Sequence, residues 1–175
     1  MRRYLIGAAL LAAASVFGMP RTASAQPKPD PSLRDAIVGS WVEIGEKIVT
    51  MAEDFPEEKY NFKAKPEIRT FADNLRHVAF WNRYVTAQIK GEKMDPKPNE
   101  ISKTEFATKA KIVAALKSSL EEATAAIKAQ PATPPVKLVG LVNTFTEHSG
   151  EHYGQLVVYY RLNDLVPPES RPKKK

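Results

Sequence analysis

The chain has 175 residues, with three histidines, no cysteine and a formal net charge of +6. Without cysteine it has no disulfide framework, thiolate ligand, cysteine nucleophile or lipid-modified cysteine, so any metal must be held by nitrogen and oxygen donors. Three of the basic residues, Arg2, Arg3 and Arg21, lie in the first 25 positions, which contain no acid; without that leader the charge falls to +3. That is too mild to argue for nucleic acid as a partner.

Residues 1–25, MRRYLIGAALLAAASVFGMPRTASA, open with Arg2 and Arg3, continue with an apolar run from Leu5 to Gly18, and end in the small residues Ala23, Ser24 and Ala25. This is the expected layout of a cleaved secretory signal peptide. The apolar run is too short for a membrane span and is followed by Pro20, so no stable membrane insertion is expected after cleavage. The arginine pair is shared by twin-arginine and ordinary secretory signals, and the ordinary route is the expectation. A secreted or periplasmic protein beginning at Gln26 follows, with a proline-rich linker over 26–32.

The remaining ~150 residues suffice for one domain around a single core, and the pattern predicts an all-α four-helix bundle over residues 33–165. The first helix, about Leu33 to Ala52, carries Ile37, Trp41, Ile44, Ile48 and Met51 at alternating spacings of four and three, with Asp30 and Pro31 as its expected start. An ordered connection, residues 54–66, brings Phe55, Tyr60 and Phe62 toward one end of the core. The second helix, expected from Glu67 to Lys90, places His77 on a face with Asp73, Trp81 and Tyr84, and Asp73 is the candidate acceptor for its ring. The simpler reading is a partly exposed His77 beside Arg76. A polar loop over 91–101 leads to a third helix, expected to open on the capping-box pair Ser102 and Glu105 and to bury Val113, Leu116, Leu120, Ala123 and Ile127.

The prolines of residues 129–136 stop that helix, and a fourth follows from Leu138 to Arg161, LVGLVNTFTEHSGEHYGQLVVYYR. Helical spacing puts Leu138, Leu141, Phe145, His148, His152, Gln155 and Tyr159 on one stripe, read as facing the interior. Two imidazoles one turn apart can then reach one ion. His77, the third histidine of the chain, would complete a three-nitrogen site with room for water. Against this stands the plain alternative of core histidines bonded to backbone carbonyls. Gly150 and Gly154 share an offset face, where a neighbouring helix could approach closely. Glu151 and Tyr159 are candidates for proton transfer, with a solvated acid and a core aromatic as the simpler readings. Residues 166–175 read as a basic, disordered tail.

Two stretches, FPEEKYNFKAKPEIRTFADNLRHVAFWN (55–82) and EHSGEHYGQLVVYYRLNDLVPPES (147–170), resemble the DinB/YfiT-like superfamily, covering about a third of the chain after the leader. The resemblance implies a four-helix bundle, often a homodimer, with His77, His148 and His152 as metal ligands, the same three residues that the stripe selects. Where many relatives have a glycine after the helix, this chain has Asn163 and Asp164. Some relatives resemble transferases or isomerases that use bacillithiol or mycothiol, and others metal-dependent hydrolases; those thiols are mainly cytoplasmic, which weakens the transferase reading for an exported chain. The expectation is an exported protein binding a divalent metal (zinc, nickel, iron or manganese) and acting as a metal-dependent hydrolase or transferase on a small molecule. The alternative is a non-catalytic periplasmic metal-binding or structural bundle.

Overall fold

The computed structural model describes residues 30–172; the expected signal peptide, most of the linker and the last three residues lie outside them. Among the described residues there are four α-helices, two single-turn 3-10 helices and no strand. The α-helices are α1 (Leu33–Asp54), α2 (Phe71–Lys90), α3 (Lys109–Lys128) and α4 (Val136–Leu162); the short turns are Glu57–Lys59 and Pro168–Ser170. No helix among them is long and apolar enough to cross a membrane.

Helices α1, α2 and α3 each start where a side chain satisfies one of the first free N–H groups, whereas α4 starts after Pro135 without such a cap. Ser32 caps α1, accepting from the Asp35 backbone N–H at 3.1 Å while its hydroxyl donates to the Asp35 carboxylate at 2.7 Å. This reciprocal pair moves the start past the expected Asp30 and Pro31. Thr70 caps α2 through the Asp73 N–H at 3.0 Å, so that helix begins four residues later than its apolar pattern indicated. Gly91 closes α2 with φ of 73°, where a side chain would be strained.

The start of α3 differs most from expectation. Ser102 does accept from the Glu105 N–H, at 3.3 Å, but the turn goes no further. The Arg76 guanidinium takes the Phe106 carbonyl at 2.9 Å, a carbonyl that a continuing helix would need. Thr108 provides the actual cap, and the buried seam begins at Ile112 rather than at half-buried Val113.

The helices pack in the ring order α1, α3, α2, α4, so α1 and α2, consecutive in sequence, stand opposite each other. The connection between them crosses the end of the bundle and closes it. Phe55 stacks on Phe71 with ring centroids 3.8 Å apart, and Tyr60 and Tyr160 pack against the same pair. Tyr160 donates to the Met51 carbonyl at 2.8 Å, and Lys109 Nζ donates to the Glu53 and Phe55 carbonyls at 2.7 Å each, covering the C-terminal end of α1. A second apolar cluster, around Trp41, Val85, Ile127 and Val142, fills the other end. Where the two meet, buried Asn82 donates to Ser119 Oγ at 3.2 Å.

Residues 166–172, the described part of the expected disordered tail, pack against the bundle instead. Arg171 makes two bonds to the Asp54 carboxylate, 2.8 and 2.5 Å, which dock the Pro168–Ser170 turn against the end of α1. Asp164 takes the left-handed conformation with φ of 58°. A glycine would adopt it freely and aspartate tolerates it better than most residues.

Candidate metal centre

His77 sits in the middle of α2, and His148 and His152 sit one turn apart on α4, where the two helices lie side by side. His77 and His152 are buried and His148 is half-buried. The Nε2 atom of His148 lies 3.0 Å from that of His77 and 3.2 Å from that of His152. Three imidazoles from two helices thus turn the same nitrogen toward one point, at separations that suit metal–nitrogen bonds of about 2.1 Å.

The outer nitrogens decide what those inner atoms carry. His77 Nδ1 is 2.6 Å from the Asn99 carbonyl, which can only accept, so the proton is on Nδ1 and Nε2 presents a lone pair. His152 Nδ1 is 3.2 Å from Asn74 Oδ1 and 3.1 Å from Gln155 Oε1. Asn74 donates its amide to the Thr70 carbonyl at 3.3 Å, which turns its oxygen toward the ring. His152 Nε2 is therefore bare as well. One proton on His148 Nε2 could serve only one of these two acceptors, whereas a cation satisfies all three. The donor set fits a divalent ion.

Burial favours the ligand form of each ring. It pushes His77 down to about 4, opposed in part by the Asn99 carbonyl, and His152 down to about 3, with the neighbouring imidazoles adding to the effect. His148 is lowered for the same reason, opposed by the Glu151 carboxylate. At neutral pH all three are neutral, as metal ligation requires.

Several sequence expectations change around this centre. Asp73 is not the acceptor for His77, because it is held by Arg76 at 2.8 Å and Lys103 at 3.0 Å. That role belongs to Asn99, whose side chain also accepts from Trp81 Nε1 at 3.0 Å. Asn99 is a non-glycine residue with φ of 59°, a position that asparagine tolerates well. Its place after Pro98 in a polar loop offers no periodicity from which to find it. Of the expected stripe on α4, His152 and Tyr159 are buried, but Leu138, Leu141, Phe145 and His148 are half-buried and Gln155 is exposed, so much of the stripe runs along the rim of the buried face, while Val142, Ser149 and Leu156 go inward. Trp81, Tyr84 and Phe145 form an aromatic wall beside His148, with Trp81 and Phe145 stacked at 5.1 Å.

Glu151 is exposed, and the Tyr159 hydroxyl donates to the Arg69 carbonyl. Neither stands out as an acid or base. Side chains at Gly150 and Gly154 would meet nothing within 4 Å among the described residues, so these glycines serve no close approach of α1, α2 or α3.

No curated protein matches the chain. The family model described as the DinB superfamily matches residues 41–156, a span that begins on α1, ends on α4 and contains all three histidines, and the chain belongs to that superfamily.

Proposed function

We propose that the protein binds one divalent metal ion through Nε2 of His77, His148 and His152 and uses it as a metal-dependent hydrolase or transferase on a small molecule. The observation that carries this reading is the convergence of two bare nitrogens on a third at 3.0 and 3.2 Å, with the outer nitrogens of His77 and His152 held by acceptors. When bound, the ion supplies Lewis acidity toward a substrate oxygen or sulfur, or toward water. The chain's own part is to orient the rings. Asn99 holds His77, Asn74 and Gln155 hold His152, and the aromatic wall limits water on the His148 side. The leader composition supports export to the periplasm or beyond, and Gly150 and Gly154, where an added side chain would meet no described residue, support pairing of α4 with a second copy.

A second reading, a non-catalytic metal-binding or structural bundle, is favoured by one observation. The groups expected to move protons or hold the rings are not available as an acid or base: Glu151 is exposed, the Tyr159 hydroxyl donates to the Arg69 carbonyl, and Asp73 is held by Arg76 and Lys103. The test loads the metal-depleted protein with zinc, nickel, iron(II) or manganese and follows cleavage of chromogenic esters and amides, and transfer of low-molecular-weight thiols to an aryl chloride. Turnover that needs the metal and disappears in His148→Ala supports catalysis. Full metal occupancy with no turnover under any loading supports the second reading.

A further inference from the structure

Next to the two amides that hold His152 lies an open-sided cavity of about 640 Å³, a volume suited to a small-molecule ligand. Its walls include Asn74 and Gln155, the two amides that hold His152, together with Tyr159, Glu100 and Arg69. Arg69 is fixed at both ends. Its carbonyl accepts from the Tyr159 hydroxyl, and its Nε donates to Glu100 Oε1 at 3.0 Å. These contacts use one N–H of the guanidinium. The two Nη groups meet no hydrogen-bond partner among the described residues.

Arg69 also terminates a line of alternating charges. Arg76 pairs with Asp73, Asp73 with Lys103, Lys103 with Glu100, and Glu100 with Arg69, at 2.8, 3.0, 3.4 and 3.0 Å. Three cations share two carboxylates, so one positive charge is in excess, and the Arg69 end is the one that lines the cavity. Glu67 is the further carboxylate in the lining, and it is exposed at the rim. A guanidinium pinned through Nε presents its Nη edge as a two-pronged donor, the geometry that matches a carboxylate.

We infer that the substrate is a small carboxylic acid whose carboxylate is held by the Nη edge of Arg69 while an oxygen or sulfur elsewhere in the molecule reaches the histidine centre. The inference rests on the metal-centre reading and adds the substrate class. Arg69 is then a specificity-determining residue. Glu100 positions it, and the amides behind His152 form the wall between the two anchor points.

The probes are ω-sulfanyl carboxylic acids with one to five methylenes and their primary amides, titrated into the full chain loaded with cobalt(II). Binding is read from the cobalt absorption bands and by calorimetry. At one chain length or more, the acid is expected to bind at least about tenfold more tightly than its amide, the advantage of a charge-assisted bidentate contact. Arg69→Met is expected to abolish that preference while cobalt content and amide affinity stay at wild-type levels, and Arg69→Lys to restore part of it. Equal affinity for acid and amide at every length in the wild-type protein overturns the inference, whether or not the variants fold, and so does a preference that survives in Arg69→Met. Failure of the wild-type protein to take up cobalt would instead refute the metal centre, and the inference with it.

Discussion

In metal-free protein the histidine cluster makes stability depend on pH in a window that nothing else in the core shares. In the unfolded chain histidines take up protons as the pH falls through about 6.5, whereas folded His77 and His152 stay neutral down to about 4 and about 3. The folded state binds fewer protons there, so stability is full above pH 6.5 and falls as the pH drops toward those lower values. Each of the two histidines removes about 1 kcal/mol between pH 6.5 and 5.5 and about 1.4 kcal/mol per unit below that, together about 2 kcal/mol over the first unit. His148 adds a loss of the same sign. Asp54 and Asp73, held low chiefly by Arg171 and Lys103 against their burial, stabilise above their ordinary value of 3.8 and lose that contribution only below it, outside the window. Urea unfolding in EDTA, followed by far-ultraviolet circular dichroism at half-unit steps from pH 7.5 to 5.0, measures the slope. His152→Gln removes one histidine's share of it. A midpoint that does not move between pH 7 and 5.5 refutes the burial of neutral imidazoles.

Asn99→Gly keeps both the left-handed backbone and the carbonyl that orients His77, and deletes only the bond to Trp81. Metal affinity should stay within about threefold of wild type while Trp81 fluorescence shifts to the red; a loss of about tenfold or more would place the side chain in the ligand scaffold itself. At Gly45 an added Cβ would lie 2.4 Å from Leu120 Cδ1, whereas at Gly140 it would meet nothing within 4 Å. Gly45→Ala should therefore lower stability by about 1–3 kcal/mol, and Gly140→Ala should raise it by up to about 1 kcal/mol, both read from thermal melts. Equal signs would show that the α1–α3 contact is looser than described.

The sequence carried the helices and the histidines because both obey a short period. Ile37, Trp41, Ile48 and Met51 go into the core as their spacing indicates, and His148 and His152 share a face by the same arithmetic. Side chains that answer to tertiary partners were not legible. Ser102 and Glu105 have the right spacing for a helix start, yet Arg76 from α2 claims the carbonyl that would extend the turn. Asp73 shares a face with His77, but two cations hold it more strongly than a neutral ring could. Asn99 reaches His77 across 22 positions of sequence, and no local pattern encodes that meeting. The α4 stripe was right in phase to within one residue. That one residue separates the rim of a groove from the middle of a core, as half-buried Leu141 and fully buried Val142 show.

The central claim is that three imidazoles share one ion, and metal stoichiometry tests it most directly. Wild-type protein and the single variants His77→Ala, His148→Ala and His152→Ala are each equilibrated with zinc at micromolar concentration, passed through a desalting column and assayed by mass spectrometry for metal per chain. The account predicts about one equivalent in the wild type and a small fraction of that in every variant, since two imidazoles alone hold an ion weakly. Wild-type stoichiometry in the His77→Ala protein, with α-helical content unchanged, would contradict it.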